Sequence, residues 1–187
     1  MKKIMVVLVV MAMFLFSFNV FAQAQSSWSV KAGIDFGSEL EVDGEDNADT
    51  KMGYSLIGEY KMAYMQNWNL GAGIAYQLDR SDDEDGPDFD FGFTPFYGLA
   101  EYRMQDSPLY FVGHLGYASF RLDDKSSQDL DSSGGLYYAL GGGMDLGESY
   151  EAEVLYTNNS GEVENKTQNE TYDADYSKIT VTFGMRF

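Results

Sequence analysis

Nine charged residues interrupt stretches of the chain in which every second side chain is apolar. They carry both signs at similar positions of successive stretches and are Glu59, Lys61, Glu101, Arg103, Asp145, Glu151, Glu153, Lys178 and Arg186. Charges confined to a narrow interior must pair, because breaking a buried ion pair costs about 3–5 kcal/mol. The pattern favours a structural charge network, with a solvated face that carries scattered charges as the alternative.

Residues that could support nucleophilic catalysis are few. His114 is the single histidine and stands on the polar face of an alternating stretch. A serine two positions later would share that face, but this position is Gly116. With one histidine and no cysteine, a nucleophile has few partners that could act as its base. We therefore expect no catalytic residues, no cofactor and no enzymatic activity, and a histidine held in a hydrogen-bond network.

Two acidic segments, residues 39–44 and 81–86, show a weak similarity to calcium-binding loops. Both lack the glutamate that such loops carry at their twelfth position, which is Thr50 in one segment and Gly92 in the other. We predict no metal site. We expect these segments to bind divalent cations weakly, by charge alone, or to bind a cationic surface partner.

The first residues predict export of the chain. Lys2 and Lys3 precede an apolar run over residues 4–16, and small residues allow cleavage after Ala22 or Ala24. This is the pattern of a signal peptide, so we assign residues 1–24 to it and residues 25–187 to one domain. The chain has 30 acidic and 12 basic residues, a net charge of −18, which disfavours nucleic acid as a partner.

The hydrophobic period is two along the rest of the chain, which predicts strands. Eight alternating stretches cover residues 28–36, 52–64, 68–78, 89–104, 109–118, 137–146, 150–157 and 178–187. The apolar phase changes near Pro95, where we expect a β-bulge.

Short and long connections between these stretches alternate. Tight turns at MQNW, QDSP and GESY alternate with long connections over residues 38–51, 79–90, 121–135 and 158–175. The long connections hold 22 of the 30 acidic residues, so the charge gathers at one end of the molecule. This arrangement predicts an eight-stranded antiparallel up-and-down barrel with closed edges.

Period two alone leaves open which face of the barrel is inside. Aromatic residues of the apolar face gather at both strand ends: Trp28, Tyr64, Trp68, Tyr102, Tyr150 and Phe187 near the short turns, and Phe36, Tyr54, Tyr76, Tyr117, Tyr138 and Tyr156 near the long connections. Two aromatic girdles around an aliphatic band favour a transmembrane barrel whose apolar face meets lipid. A soluble lipocalin-like carrier of an apolar ligand is the alternative fold.

The end of the chain carries a resemblance to a known family. Ile179, Val181, Phe183, Met185 and Phe187 alternate up to a terminal aromatic residue. With the strand count and the alternation of turns, this segment resembles the terminal assembly signal of small eight-stranded outer-membrane barrels of the OmpA/OmpX type. A peptidoglycan-binding domain, which OmpA-type proteins often carry after the barrel, is not expected here.

The resemblance implies a monomer in the outer membrane of a Gram-negative-type bacterium, surrounded by lipid and inserted by the barrel-assembly machinery. It implies extracellular long connections and periplasmic termini. Because eight strands leave an interior that side chains just fill, we expect the charges to plug the lumen. The function we expect is a structural or surface-interaction role, with a narrow ion-conducting pore as the alternative.

Overall fold

The computed structural model describes residues 26–42, 45–50, 52–78, 80–81, 89–124, 130–165 and 170–187. The predicted signal peptide, residues 1–24, lies outside these ranges and stays a prediction. The side chains of the calcium-loop-like segments, residues 39–44 and 81–86, also lie outside the description. Within the described residues, no helix has the length and hydropathy needed to cross a membrane.

Ten β-strands make up the described chain. They are β1 (Ser26–Val42), β2 (Glu45–Thr50), β3 (Gly53–Met65), β4 (Trp68–Gln77), β5 (Arg80–Ser81), β6 (Phe89–Arg103), β7 (Leu109–Asp124), β8 (Leu130–Asp145), β9 (Tyr150–Asn165) and β10 (Glu170–Arg186). Eight of them are long, and β2 and β5 are short additions that pair with β1 and β6.

The eight long strands form a closed antiparallel barrel. Each pairs with the next long strand along the chain, and β10 returns to β1 in a register that runs from Ser29 opposite Arg186 to Phe36 opposite Ile179. Closure satisfies the backbone groups that an open sheet edge would expose, which a lipid environment requires. The predicted eight-stranded up-and-down barrel is confirmed.

The side chains of each strand alternate between the lumen and the outer surface. On β1, Ser29, Lys31 and Asp35 are buried, whereas Trp28 and Val30 are exposed. The other long strands follow the same rule, so the aliphatic band and the aromatic girdles face outward. The lipocalin-like alternative is therefore wrong, because that fold requires the apolar face inside.

The bulge expected at Pro95 is not present. Strand β6 pairs with β7 without a register shift, and Pro95 lies opposite Ala118. The inward phase simply continues, which places Phe93 in the lumen with its ring 4.7 Å from that of Phe120. The apolar pattern changed phase because this end of the lumen is aromatic. A bulge lies instead on β1 against β10, at Gly37, whose φ of 53° suits glycine.

The strands run further than the alternation predicted. Strands β9 and β10 remain paired as far as Asn165 opposite Glu170, within the segment predicted as a long connection. The sequence of these extensions is rich in polar residues, so the hydrophobic period that marks a half-buried strand is lost there. Among the described residues, β7 and β8 separate beyond Ala118 and Gly135. The extended sheet thereby splits into two leaves, one of β8, β9, β10, β1 and β2 and the other of β5, β6 and β7.

Candidate functional site: the charged lumen

The centre of the lumen is organised around Lys31. Its ammonium nitrogen lies 2.8 Å from a carboxylate oxygen of Glu59, 2.6 Å from one of Glu153 and 3.4 Å from one of Glu151. All four side chains are at most 1 % exposed. Lys31 was not among the predicted network residues, although its place on the polar face of the first stretch was readable from the sequence.

Lys61 supplies the second central cation. Its ammonium nitrogen lies 3.0 Å from Glu101, 3.3 Å from Glu151, 3.4 Å from Glu59 and 3.7 Å from Glu153. Strands β1, β3, β6 and β9 therefore meet through these contacts. The six residues form what we call the carboxylate–lysine belt: Lys31, Glu59, Lys61, Glu101, Glu151 and Glu153.

Three charged residues extend the belt toward the short turns. Arg103 donates to Glu101 at 2.6 Å and also to Asp145, whose second oxygen accepts from Arg186 at 3.0 Å. Arg103, Asp145 and Arg186 are about a fifth to a third exposed, unlike the belt. Arg103 and Arg186 line a cavity of about 710 Å³ at the short-turn end, which we call the short-turn vestibule.

Lys178 lies apart from the other eight predicted network residues. It donates to Asp35 at 2.7 Å, and the same carboxylate accepts from Ser55 at 2.9 Å and from Thr180 at 2.7 Å. The structure thus joins eight of the predicted residues in one connected group and pairs the ninth with Asp35, a buried residue outside the predicted set. Asp35 was missed as its partner, because sequence alone does not show the register in which the first and last strands pair.

Tyrosine side chains link the belt to the rest of the lumen. Tyr97 donates to Glu59 and Tyr110 to Glu153, each at 2.9 Å. The ring of Tyr97 stacks on His114 at 4.3 Å, and the His114 Nδ1 atom lies 3.3 Å from the Tyr137 hydroxyl. The predicted position of His114, buried in the lumen and within a hydrogen-bond network, agrees with this geometry.

Small residues make room for the tyrosine rings. A Cβ atom built on Gly73 would lie 2.6 Å from the ring of Tyr97, a distance at which atoms overlap. Gly143 faces Tyr110 in the same way. These inward glycines permit large side chains on the neighbouring strands, and they explain why an interior strand face carries residues that strands otherwise disfavour.

An aromatic layer lies nearer the long connections and was not predicted. Phe93 stacks on Phe120 with centroids 4.7 Å apart and on Tyr176 with centroids 5.8 Å apart. All three side chains are buried. The alternation of Phe89, Phe91 and Phe93 was the signal in the sequence, but it suggested the outer face. The lumen therefore changes from charged at the short-turn side to aromatic at the other.

The acidic cluster at the centre of the lumen is paired with the protein's own cations. Glu59, Glu151 and Glu153 place oxygen atoms within 4.8 Å of one another, as metal ligands do. However, the ammonium groups of Lys31 and Lys61 already lie among these oxygens. Two ammonium groups therefore already lie where a cation would have to bind, and they offset two of the three carboxylate charges.

The residues of the predicted assembly signal lie on the outer face of β10. Ile179, Val181, Phe183, Met185 and Phe187 are all exposed. Phe187 forms the last backbone pairing of the barrel, since it exchanges hydrogen bonds with Trp28 at 2.9 and 3.0 Å. This segment therefore presents a continuous apolar ridge that ends where the barrel closes.

Comparisons with known proteins agree with this architecture. A family model described as an outer membrane protein beta-barrel domain matches residues 8–187. No curated protein matches the chain.

Three solved structures illustrate the shared fold. Ail, the attachment invasion locus protein of Yersinia pestis, is 15% identical with a TM-score of 0.55, over 87% of this chain and 98% of its own. Neisserial surface protein A is 12% identical with a TM-score of 0.56, over 87% and 99%. AlkL, solved by solid-state NMR in lipid bilayers, is 15% identical with a TM-score of 0.53, over 87% and 90%. At these identities the likeness concerns the fold alone.

Proposed function

Because the chain belongs to the outer membrane protein β-barrel family, we propose that it is an anchored surface protein whose polar strand extensions act outside the cell. The family places the chain in a bacterial outer membrane. The finer role follows from two features of the molecule, a lumen filled by its own side chains and an acidic end.

The observation that carries this proposal is the carboxylate–lysine belt. Lys31 and Lys61 contact carboxylates from β3, β6 and β9, so side chains meet across the lumen. The stacked rings of Phe93, Phe120 and Tyr176 add a second, apolar obstruction nearer the long connections. A lumen with two such layers suits an anchor better than a pore, because an eight-stranded interior has little space beyond its side chains.

The orientation we propose places the long connections outside the cell and both termini in the periplasm. The short turns tie the strands closely at one end, and long hairpins extend at the other. Outer-membrane barrels have short periplasmic turns and longer extracellular loops. The acidic segments would then form the exposed surface.

A partner of this surface should be cationic, or anionic and bridged by divalent cations. The predicted long connections hold 22 of the 30 acidic residues of a chain with a net charge of −18. Ail has been solved with the heparin analogue sucrose octasulfate. Without bridging divalent cations, a polyanion of that kind would be repelled here, because like charges across an interface oppose association.

The exposed apolar ridge on β10 suggests how the barrel is inserted into the membrane. We propose that the segment from Ile179 to Phe187 is the signal read by the barrel-assembly machinery, and that the assembled protein is a monomer surrounded by outer-membrane lipid. The exposed side chains of Ile179, Phe183 and Phe187 leave this ridge available to a partner before β10 pairs with β1.

Single-channel recording in planar bilayers tests the anchor against the pore. The purified barrel should give no steady, discrete conductance, whereas a reproducible unitary conductance would establish the pore. Binding of polylysine to the barrel in nanodiscs tests the acidic surface. Replacing Asp82, Asp83, Glu84, Asp85 and Asp88 by their amides should weaken this binding, and unchanged binding would exclude that segment as the surface.

A further inference from the structure

The lipid-facing side of the barrel carries an apolar groove across β7, β8 and β9. It has a volume of about 360 Å³ and lies beside Phe111, Gly142, Met144, Ala152 and Val154. Ligand pockets in proteins usually begin at about 300 Å³, so the groove is large enough to hold part of a small apolar molecule. Nothing in the proposed surface role or in the charged lumen requires it.

The register explains how the groove forms. Gly142 pairs with Phe111 on one side and with Val154 on the other, so an exposed residue stands on either side of a position with no side chain. One step toward the short turns, Ala152 lies between Met144 and Phe183. Two small residues therefore form the floor, and larger side chains on neighbouring strands form the walls.

Gly142 is less constrained by packing than its inward neighbours. Added Cβ atoms on Gly141 and Gly143 would overlap with Leu155 and Tyr110. A Cβ atom on Gly142 would lie 3.2 Å from the Tyr110 carbonyl oxygen, a tight contact that a shift of a few tenths of an ångström relieves, and would meet no described side chain. The missing side chain at Gly142 leaves the outer surface open between Phe111 and Val154.

We propose that this groove, which we call the Gly142 groove, binds one acyl chain of a membrane phospholipid. The groove extends from Met104, beside the short turn after β6, to Val181 in the middle of β10. It is thus confined to the short-turn half of the apolar band and is continuous with the surface that meets lipid. A bound chain would belong to the leaflet on that side.

An acyl chain fits the groove better than a protein partner does. Stable protein interfaces bury about 800 Å² on each partner, far more than a narrow groove beside a few side chains can offer. Met104 and Met144 line the groove, and flexible thioether side chains adapt to a mobile chain. The groove therefore suits a slender, apolar and flexible occupant.

Photolabelling with a phospholipid that carries a diazirine in the middle of an acyl chain tests the proposal. The barrel is reconstituted in vesicles containing this lipid, irradiated, and mapped by mass spectrometry. Labels should concentrate within residues 104–111 and 142–154. Labels spread evenly around the exposed apolar band would overturn the proposal, as would cross-linking of two barrels through this face.

Matched glycine variants locate the effect. Gly142→Leu fills the groove and should lower labelling of residues 142–154 several-fold. Gly58→Leu makes the same change on the outer face of β3, on the opposite wall of the barrel, and should leave the labelling unchanged. Ala152→Leu fills the other part of the floor without altering a glycine, so it covers the case in which Gly142→Leu does not fold. Undiminished labelling in a folded Gly142→Leu or Ala152→Leu barrel would refute the site.

Discussion

Lys31 and Glu153 form an ion pair of 2.6 Å between β1 and β9, two strands that are not hydrogen-bonded neighbours. The pair crosses the inside of the barrel past β10, so it can form only in the closed molecule. Glu153 also accepts from Tyr110 at 2.9 Å, which ties β7 into the same cluster. The Lys31–Glu153 ion pair therefore depends on closure of the sheet.

Replacing Lys31 by methionine should destabilise the barrel by about 3–5 kcal/mol, because Glu59 and Glu153 would lose their closest cation while remaining buried. Urea unfolding in lipid vesicles measures the change. Glu148→Gln, an exposed change in the turn before β9, is the control and should stay within about 0.5 kcal/mol of the parent. The double variant Lys31→Met with Glu153→Gln should recover part of the loss. Simple addition of the two single effects would show that the pair is not coupled.

The outer part of the charge network should contribute less than the belt. Asp145 is a fifth exposed and binds Arg103 and Arg186 at the short-turn vestibule, where water screens the charges. Asp145→Asn should therefore cost about 1 kcal/mol or less. The cost should fall further when unfolding is measured in high salt, because salt screens exposed pairs. An effect of Asp145→Asn as large as that of Lys31→Met would contradict the division into a dry belt and a wet vestibule.

Gly73 should not tolerate a side chain while Tyr97 occupies the lumen. Gly73→Leu forces the Tyr97 ring away from Glu59 and His114, and overpacking of this kind costs about 1–3 kcal/mol. Gly58→Leu is the matched control on the outer face, where the nearest described atom to an added Cβ is 3.9 Å away. Adding Tyr97→Ala to Gly73→Leu should reduce the damage. Equal costs for the two leucine variants would mean that the lumen at Gly73 is roomier than described.

Much of the fold could be predicted from the sequence, because one face of each strand meets lipid and the other meets the polar lumen. On β1 and β10 the alternation read correctly residue by residue, including Trp28 and Phe187 where the barrel closes. The prediction of strand faces failed where apolar and polar side chains no longer alternate between lipid and lumen. Phe93 is apolar yet faces the lumen, and the extension of β9 to Asn165 has a mostly polar sequence without apolar alternation.

The partners within the charge network were less predictable than its members. Lys31 and Asp35 stand on the polar face of β1, and each has one partner more than a hundred residues away, Glu153 on β9 and Lys178 on β10. Which residues of these strands meet depends on the register at closure, and no local pattern in the sequence encodes that register. The bulge at Gly37 shifts that register by one residue. Period-two reasoning gave no sign of this bulge.

Replacing Phe187 should reduce assembly far more than it reduces the stability of the assembled barrel. Phe187→Ser removes the last aromatic residue of the ridge on β10 but keeps the backbone hydrogen bonds to Trp28. The amount of folded protein in the outer membrane, read from heat-modifiable gel mobility, should fall strongly. Phe36→Ser is the control, because Phe36 is an exposed aromatic residue near the opposite end of the barrel. Normal levels of the Phe187 variant would remove the basis for an assembly signal at this residue.

Thiol accessibility tests the central claim most directly, because the described chain has no cysteine and each probe is therefore unique. Gln66→Cys lies in an exposed turn, Leu140→Cys on the outer face and Ala139→Cys in the lumen, where Ala139 is 0% exposed. The barrel is reconstituted in lipid vesicles, and a charged thiol reagent is supplied on both sides of the membrane. Of the three variants, this reagent should modify only Gln66→Cys. A lipid-soluble reagent should also modify the outer-face variant, and the lumen variant should react with neither. Rapid reaction of Ala139→Cys with the charged reagent would reveal a water path through the barrel and contradict the closed lumen. Rapid reaction of Leu140→Cys with the same reagent would contradict the lipid-facing surface.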